Sequence, residues 1–170
     1  LARAEGGAAS LRQVAFFHGD AADRLEARAA TRPASFQAVE ASADDVCLMA
    51  FTSGTTGLPK ATMHFHRDVM AACACWPAHV LRATHDDVFI GSPPLAFTFG
   101  LGGLLLFPLS VGACAVLVEK ATPDTLPAAI GRFGATVCFT APTSYRAIAL
   151  AAKAQPAVRE GLRTLRKCVS

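Results

Sequence analysis

Charge is scarce in this chain of 170 residues: Asp, Glu, Lys and Arg make up 17% of it, against about 25% in ordinary globular domains. Disorder requires low hydrophobicity and high net charge, whereas here apolar residues reach 52%, mean hydropathy is +0.37 and net charge is only +3. No basic stripe runs along the chain. The single short cluster, Arg163–Lys167, reads as solvated surface charge, so a nucleic-acid footprint is not expected. Residues 2–19 hold no apolar stretch behind a basic start, which excludes a secretory leader there. The six cysteines are too sparse for a disulfide scaffold. Cys47, Cys114 and Cys138 sit in apolar runs as small hydrophobes, and Cys73 and Cys75 lie two apart on an alanine-rich helix, where they do not face each other. A reducing, cytoplasmic setting follows.

The apolar excess suggests that part of the surface is covered by further chain. In the same direction, Leu1 is not a Met, and residues 165–170 look like the beginning of a strand with no terminator, so the chain is expected to be an internal piece of a longer protein. The stretch Gly91–Val118 carries no charge and is long enough to span a bilayer. Its prolines and glycines interrupt it, however, and it reads as a loop, a buried helix over about 100–110, a turn, and a buried strand over 113–118.

What is present alternates strand and helix. Residues 1–43 are weakly patterned, with a short strand over 14–17 and a helix over 21–30 that Pro33 prevents from continuing. Residues 34–44 connect to Val46–Phe51, a continuous apolar run of the buried-strand kind. Val69, Cys73, Trp76 and Val80 then recur at helical spacing, with Pro77 expected to kink or split the helix. Val88–Ile90 is a strand behind an acidic turn, His85–Asp87. Thr122-Pro123-Asp124 looks like a helix start, Leu126, Ile130 and Phe133 its buried face, and Gly134 its stop. Thr136–Phe139 and Thr143–Ala154 complete a βαβ-type pattern of sheet covered by helices.

Thr52-Ser53-Gly54-Thr55-Thr56-Gly57-Leu58-Pro59-Lys60 carries the chemistry. Glycines let backbone N–H groups approach an anion, hydroxyls add donors, and Lys60 adds a mobile point charge. Hydrogen bonds to charged groups are worth about 1.5–3 kcal/mol each, so several together can hold a triphosphate. Pro59 before and Ala61 after the lysine exclude a Walker A loop. His64 and His66 form a His-x-His, but no third or fourth ligand stands nearby; helix-start capping and packing is the better reading, and no metal site is assigned.

The nonapeptide resembles the signature loop of the adenylate-forming, or AMP-binding, superfamily of acyl- and aryl-CoA ligases, peptide-synthetase adenylation domains and luciferases. Ala61 departs from the glycine usual there. Pro94–Leu101 resembles the next core motif of that family, with Phe97 where many members have histidine, and Ser92–Leu109 with Ala141–Arg146 is most similar to the benzoate and 2-aminobenzoate CoA ligase branch. The likeness runs over about 41–170 and more loosely before that. The resemblance implies an α/β fold, part of the large N-terminal domain of an adenylate-forming enzyme, with 1–43 its leading segment and 44–170 a partial AMP-binding domain. It implies ATP, Mg²⁺ and coenzyme A as reaction components and a small aromatic carboxylic acid as substrate. Thr52, Ser53, Gly54, Thr55, Thr56, Gly57 and Lys60 are the expected phosphate contacts, with Lys60 catalytic; Phe97, Thr98, Phe99 and Gly100 are the expected acid contacts. Gly100, Gly102 and Gly103 are read as leaving room for the ring of the acid. The elements for adenine, ribose, Mg²⁺ and the C-terminal lysine are expected beyond Ser170, so these residues alone should be inactive. No membrane partner is expected, and homodimerisation of the full-length enzyme is an open expectation. Rival readings are a fatty acyl-CoA ligase or peptide-synthetase adenylation domain, a phosphotransferase with an unusual phosphate loop, and a membrane protein built on Gly91–Val118.

Overall fold

The computed structural model describes residues 24–52 and 59–170. Residues 1–40 and 41–170 are separate compact units. In the first, the described part contains α1 (Leu25–Ala30), shorter than the helix expected over 21–30, and an irregular stretch after it. The strand expected over 14–17 lies outside the described residues.

The second unit begins with an antiparallel hairpin, β1 (Val46–Thr52) and β2 (Lys60–Phe65), in register from Leu48↔His64 to Thr52↔Lys60. The apolar run of β1 is not buried as its composition suggests. A two-stranded ribbon can cover only one of its faces, and Met49, Phe51 and Met63 are more than half exposed. Helix α2 (His66–Cys75) follows at once: Asp45 and Ala43 carbonyls accept from the His66 and Arg67 N–H groups, and Asp68 reaches back to accept from the Phe65 N–H at 2.9 Å. This is the capping half of a capping box, as read for the His-x-His stretch. Pro77 converts the next turn into a π-helical segment, Trp76–Leu81, in keeping with its missing N–H. Arg82 ends the segment with φ 52°, unusual for a residue with a Cβ.

Four parallel strands form the core sheet in the order β4 (Cys114–Val116), β3 (Val88–Gly91), β5 (Val137–Phe139), β6 (Lys167–Val169). Between β3 and β4 the charge-free stretch folds as α3 (Thr98–Leu101), a π-helical segment Gly102–Leu106, and α4 (Phe107–Ser110). The order loop, helix, turn, strand is as read, but the strand is shorter than 113–118 and not buried, with Cys114 and Leu117 exposed. Among the described residues no helix is long and apolar enough to cross a membrane. Helix α5 (Leu126–Phe133) starts later than expected, because Thr122 instead heads a hydrogen-bonded turn, its carbonyl accepting from the Thr125 and Leu126 N–H groups. Gly134 caps it in the left-handed region at φ 64°. Leu126 and Ile130 are buried, whereas Phe133 is 47% exposed with Arg132 stacked on its ring. Helices α6 (Pro142–Ala154) and α7 (Pro156–Gly161) lead to β6.

Ile90, Leu126, Ile130, Ala135, Cys138 and Ile148 pack on one side of the sheet, and Leu81, Phe89, Val137 and Phe139 form the second cluster. Each fully buried large apolar side chain contributes about 1.5–3 kcal/mol. Of the cysteines read as core, only Cys138 is buried; Cys47 and Cys114 are exposed because they lie on the ribbon and on an edge strand.

The charged cluster Arg163–Lys167 is not simply solvated. Lys167 Nζ sits 2.7 Å from Asp87 Oδ2 and Arg166 2.9 Å from Oδ1, and Asp87 is 1% exposed. The carboxylate also accepts from Thr136 Oγ1 at 2.6 Å and from the Thr84 N–H at 3.0 Å, while Lys167 donates to the Arg82 carbonyl. Burial pushes the Asp87 pKa up, but the Lys167, Thr136 and Thr84 hydrogen bonds outweigh it and bring the group down to about 2.

The glycines of α3 and the following segment serve protein packing rather than ligand space. A Cβ on Gly103 runs into the Phe139 ring, one on Gly102 into the Phe107 ring, and one on Gly100 into the Pro94 carbonyl. Gly103→Ala in the complete polypeptide is therefore expected to cost about 1–3 kcal/mol, the usual range for overpacking, as read from its denaturant midpoint. An unchanged midpoint would mean that Phe139 can turn away freely.

Candidate functional site

Thr52 closes β1 and Lys60 opens β2, and the two are register partners, with Thr52 Oγ1 donating to the Lys60 carbonyl at 3.3 Å. The hairpin thus holds both ends of the glycine–hydroxyl loop together and leaves Thr52 and Lys60 exposed. Ser53, Gly54, Thr55, Thr56 and Gly57 lie outside the described residues. His64 is on β2, its ring nitrogen 3.1 Å from Thr62 Oγ1, and His66 is the first residue of α2. Among the described residues no group of three or more His, Cys, Asp or Glu side chains is arranged to hold a metal ion.

The second half of the site lies at the carboxyl ends of the parallel strands. The chain runs from β3 to β4 on one side and returns through β5 on the other, so the strand order reverses between β3 and β5. Ligands of open α/β sheets bind at such reversals. Just beyond, Ser92 Oγ and Thr140 Oγ1 are 2.5 Å apart, the Ser92 N–H donates to the Phe139 carbonyl, and the Thr140 N–H to that of Val169. An open cleft of about 420 Å³ is lined by Trp76, Thr98, Phe99, Phe107, Phe139, Val169 and Ser170. Its rings form a chain of contacts: Phe99 to Phe139 at 5.4 Å between centroids, Trp76 to Phe139 at 5.9 Å, and Trp76 to Phe107 at 5.3 Å. Those separations are typical of favourable aromatic pairs. A smaller groove of about 170 Å³ is lined by Leu48 and His64 of the hairpin and again by Thr98, so Thr98 stands between ribbon and cleft.

Thr98 and Phe99, two of the residues expected to contact the acid, line this cleft. Phe97 is 66% exposed and is not part of that lining; it precedes α3 and accepts the Leu101 N–H. Gly100 is buried against Pro94. Sequence reading missed Trp76, Phe107, Phe139 and the Ser92–Thr140 hydroxyl pair. Their signal was positional: Ser92 and Thr140 each directly follow the end of a strand, at Gly91 and at Phe139.

Residues 3–170 match the model of the AMP-binding enzyme family. The chain belongs to that family. This AMP-binding chain is 36% identical over 153 residues to a benzoate–CoA ligase of Thauera aromatica, which covers 89% of the chain and 28% of the ligase. Its fold is similar to that of the anthranilate CoA ligase AuaEII, solved in complex with anthranoyl-AMP, with a TM-score of 0.70 and 34% identity over 81% of the chain and 26% of the ligase. A malonyl-CoA ligase solved as a ternary product complex with methylmalonyl-CoA and AMP gives a TM-score of 0.69 and 29% identity, covering 78% of the chain and 28% of the ligase. The chain thus spans little more than a quarter of the length of these relatives.

Proposed function

We propose that the complete protein activates an aromatic carboxylic acid with ATP, passing through an acyl-adenylate to a coenzyme A thioester. The observation that carries this reading is the aromatic cleft at the strand reversal, where Thr98 and Phe99 face Trp76, Phe107 and Phe139. A flat apolar ring suits such walls, and each aromatic pairing adds about 0.5–1.5 kcal/mol beyond burial. The likeness to the benzoate and anthranilate ligases supports the same class.

In this reading a carboxylate oxygen attacks the α-phosphorus of ATP and pyrophosphate leaves; the coenzyme A thiol then displaces AMP. Negative charge gathers on the departing phosphates, so positioning and fixed donors do most of the work. Thr52, Lys60 and the intervening Ser53, Gly54, Thr55, Thr56 and Gly57 are proposed as the phosphate contacts. Their donor set of hydroxyls, glycine N–H groups and one ammonium fits a polyphosphate. Mg²⁺ would enter as the counter-ion of the nucleotide, and no residue of this chain is assigned to it. The free thiols fit the reducing cytoplasmic setting proposed for the protein.

A panel of acids compared by kcat/KM in the complete enzyme tests the substrate class. Benzoate-like acids, 2-aminobenzoate foremost, are expected to lead acetate and long-chain fatty acids. An aliphatic or α-amino acid at the head of the panel would remove the aromatic assignment and leave adenylation standing.

A further inference from the structure

Cys138 and Cys168 are direct register partners on the neighbouring parallel strands β5 and β6. Adjacent strands run about 4.7–4.9 Å apart and partners in register point to the same face, inside the Cα separation of roughly 4.4–6.8 Å that a disulfide accepts, and the Cβ atoms must draw in to about 3.5–4.5 Å as the bond forms. Both cysteines line one apolar cavity of about 360 Å³ with Tyr145, Ile148 and Leu165. Cys138 is fully buried and Cys168 is exposed. Within the described strands no other two cysteines are paired: Cys114 faces Val88, and Cys47 lies on the hairpin, whose ladder includes no other cysteine.

We infer that Cys138 and Cys168 are a peroxide-oxidisable dithiol that closes to a disulfide across β5 and β6. The exposed Cys168 thiolate attacks one oxygen of hydrogen peroxide; the O–O bond breaks, hydroxide leaves and is protonated to water, and Cys168 becomes a sulfenic acid. The Cys138 sulfur then attacks the Cys168 sulfur. The S–S bond forms as the S–O bond breaks, and the Cys138 thiol proton departs with the hydroxyl as water. Two thiols and one peroxide thus become one disulfide and two waters. Burial raises the Cys138 thiol to about 11, so the second step quickens as the pH rises.

The bond lies beside the cleft. Val169 and Ser170 follow Cys168 directly and line it, and the Tyr145 hydroxyl ties the same place together, donating to the Cys138 carbonyl at 2.5 Å and accepting the Val169 N–H at 3.1 Å. Drawing the two sulfurs together shifts the start of that lining. This consequence, unlike the bond itself, rests on the ligase reading.

The test uses the complete polypeptide, first reduced and then treated with hydrogen peroxide. Remaining thiols are alkylated and the unreduced digest is read by mass spectrometry. The expected result is the Cys138 peptide joined to the Cys168 peptide with loss of two hydrogens. The product should vanish on treatment with dithiothreitol and be absent from Cys168→Ser. Alkylated Cys138 beside a sulfinic Cys168, or Cys168 joined to another cysteine, would overturn the inference. In a second arm, peroxide should lower acid-dependent pyrophosphate release in the parent, reversibly, and not in Cys168→Ser. A formed bond with an unchanged rate overturns the coupling to the cleft. A reduced parent that releases no pyrophosphate with any acid defeats the ligase reading, while the peptide result still decides the dithiol.

Discussion

Replacing Lys60 by alanine in the complete polypeptide is expected to slow acid-dependent pyrophosphate release by about 10²-fold, the scale of losing one preorganised charge-stabilising group. Lys60 is exposed at the first position of β2, and the hairpin is held by backbone pairing with Thr52 rather than by the ammonium. Near-UV circular dichroism and the denaturant midpoint should therefore stay at parent values. A variant within twofold of the parent rate would take Lys60 out of the mechanism. A rate lost together with the fold would show that the lysine serves the ribbon instead.

Asp87→Ala should destabilise the sheet region strongly, costing about 3 kcal/mol, at the lower end for breaking a buried ion pair. The lower end applies because Arg166 is 58% exposed and can turn to water, whereas Lys167 is only 25% exposed. Urea titration of the complete polypeptide measures it, and a loss below about 1 kcal/mol would contradict the anchoring role assigned to the carboxylate. The pH dependence has a definite sign. A carboxyl depressed from 3.8 to about 2 contributes its stability fully above its ordinary value and loses it as pH falls through the depressed one. A depression of that size is worth about 2 kcal/mol. In Asp87→Asn that acid-dependent increment between about pH 4 and 2 should be missing when parent and variant are unfolded side by side.

The elements whose causes are local were legible in the sequence. The β3 and β5 runs, the Gly134 stop, the Pro77 break and the loop–helix–strand order of 91–118 all depend on hydrophobic runs and turn residues within a few positions. Thr98 and Phe99 stand in one contiguous motif, and both line the cleft. What could not be read depended on partners distant in sequence. Asp87 looked like one acid of a surface turn and Lys167 like one cation of a solvated cluster, and only β3 and β6 entering the sheet from the same end reveals them as a pair. Gly103 looked like space for a ligand until Phe139 filled it. The Val46–Phe51 run reads as buried from its composition, yet burial depends on what covers a ribbon, which the run itself does not encode.

The Asp87 anchor also sets an order of events during synthesis. Lys167 lies 80 residues after its carboxylate partner. At about 5–20 residues per second it leaves the ribosome roughly 4–16 s after Asp87 does. Through that interval β3 and β5 can already exist, but the carboxylate between them has Thr136 and Thr84 and no cation. An unpaired buried charge is expensive, so this end of the nascent sheet must stay wet until β6 arrives. The anchor can therefore close only when β6 brings its lysine, 80 residues after the carboxylate.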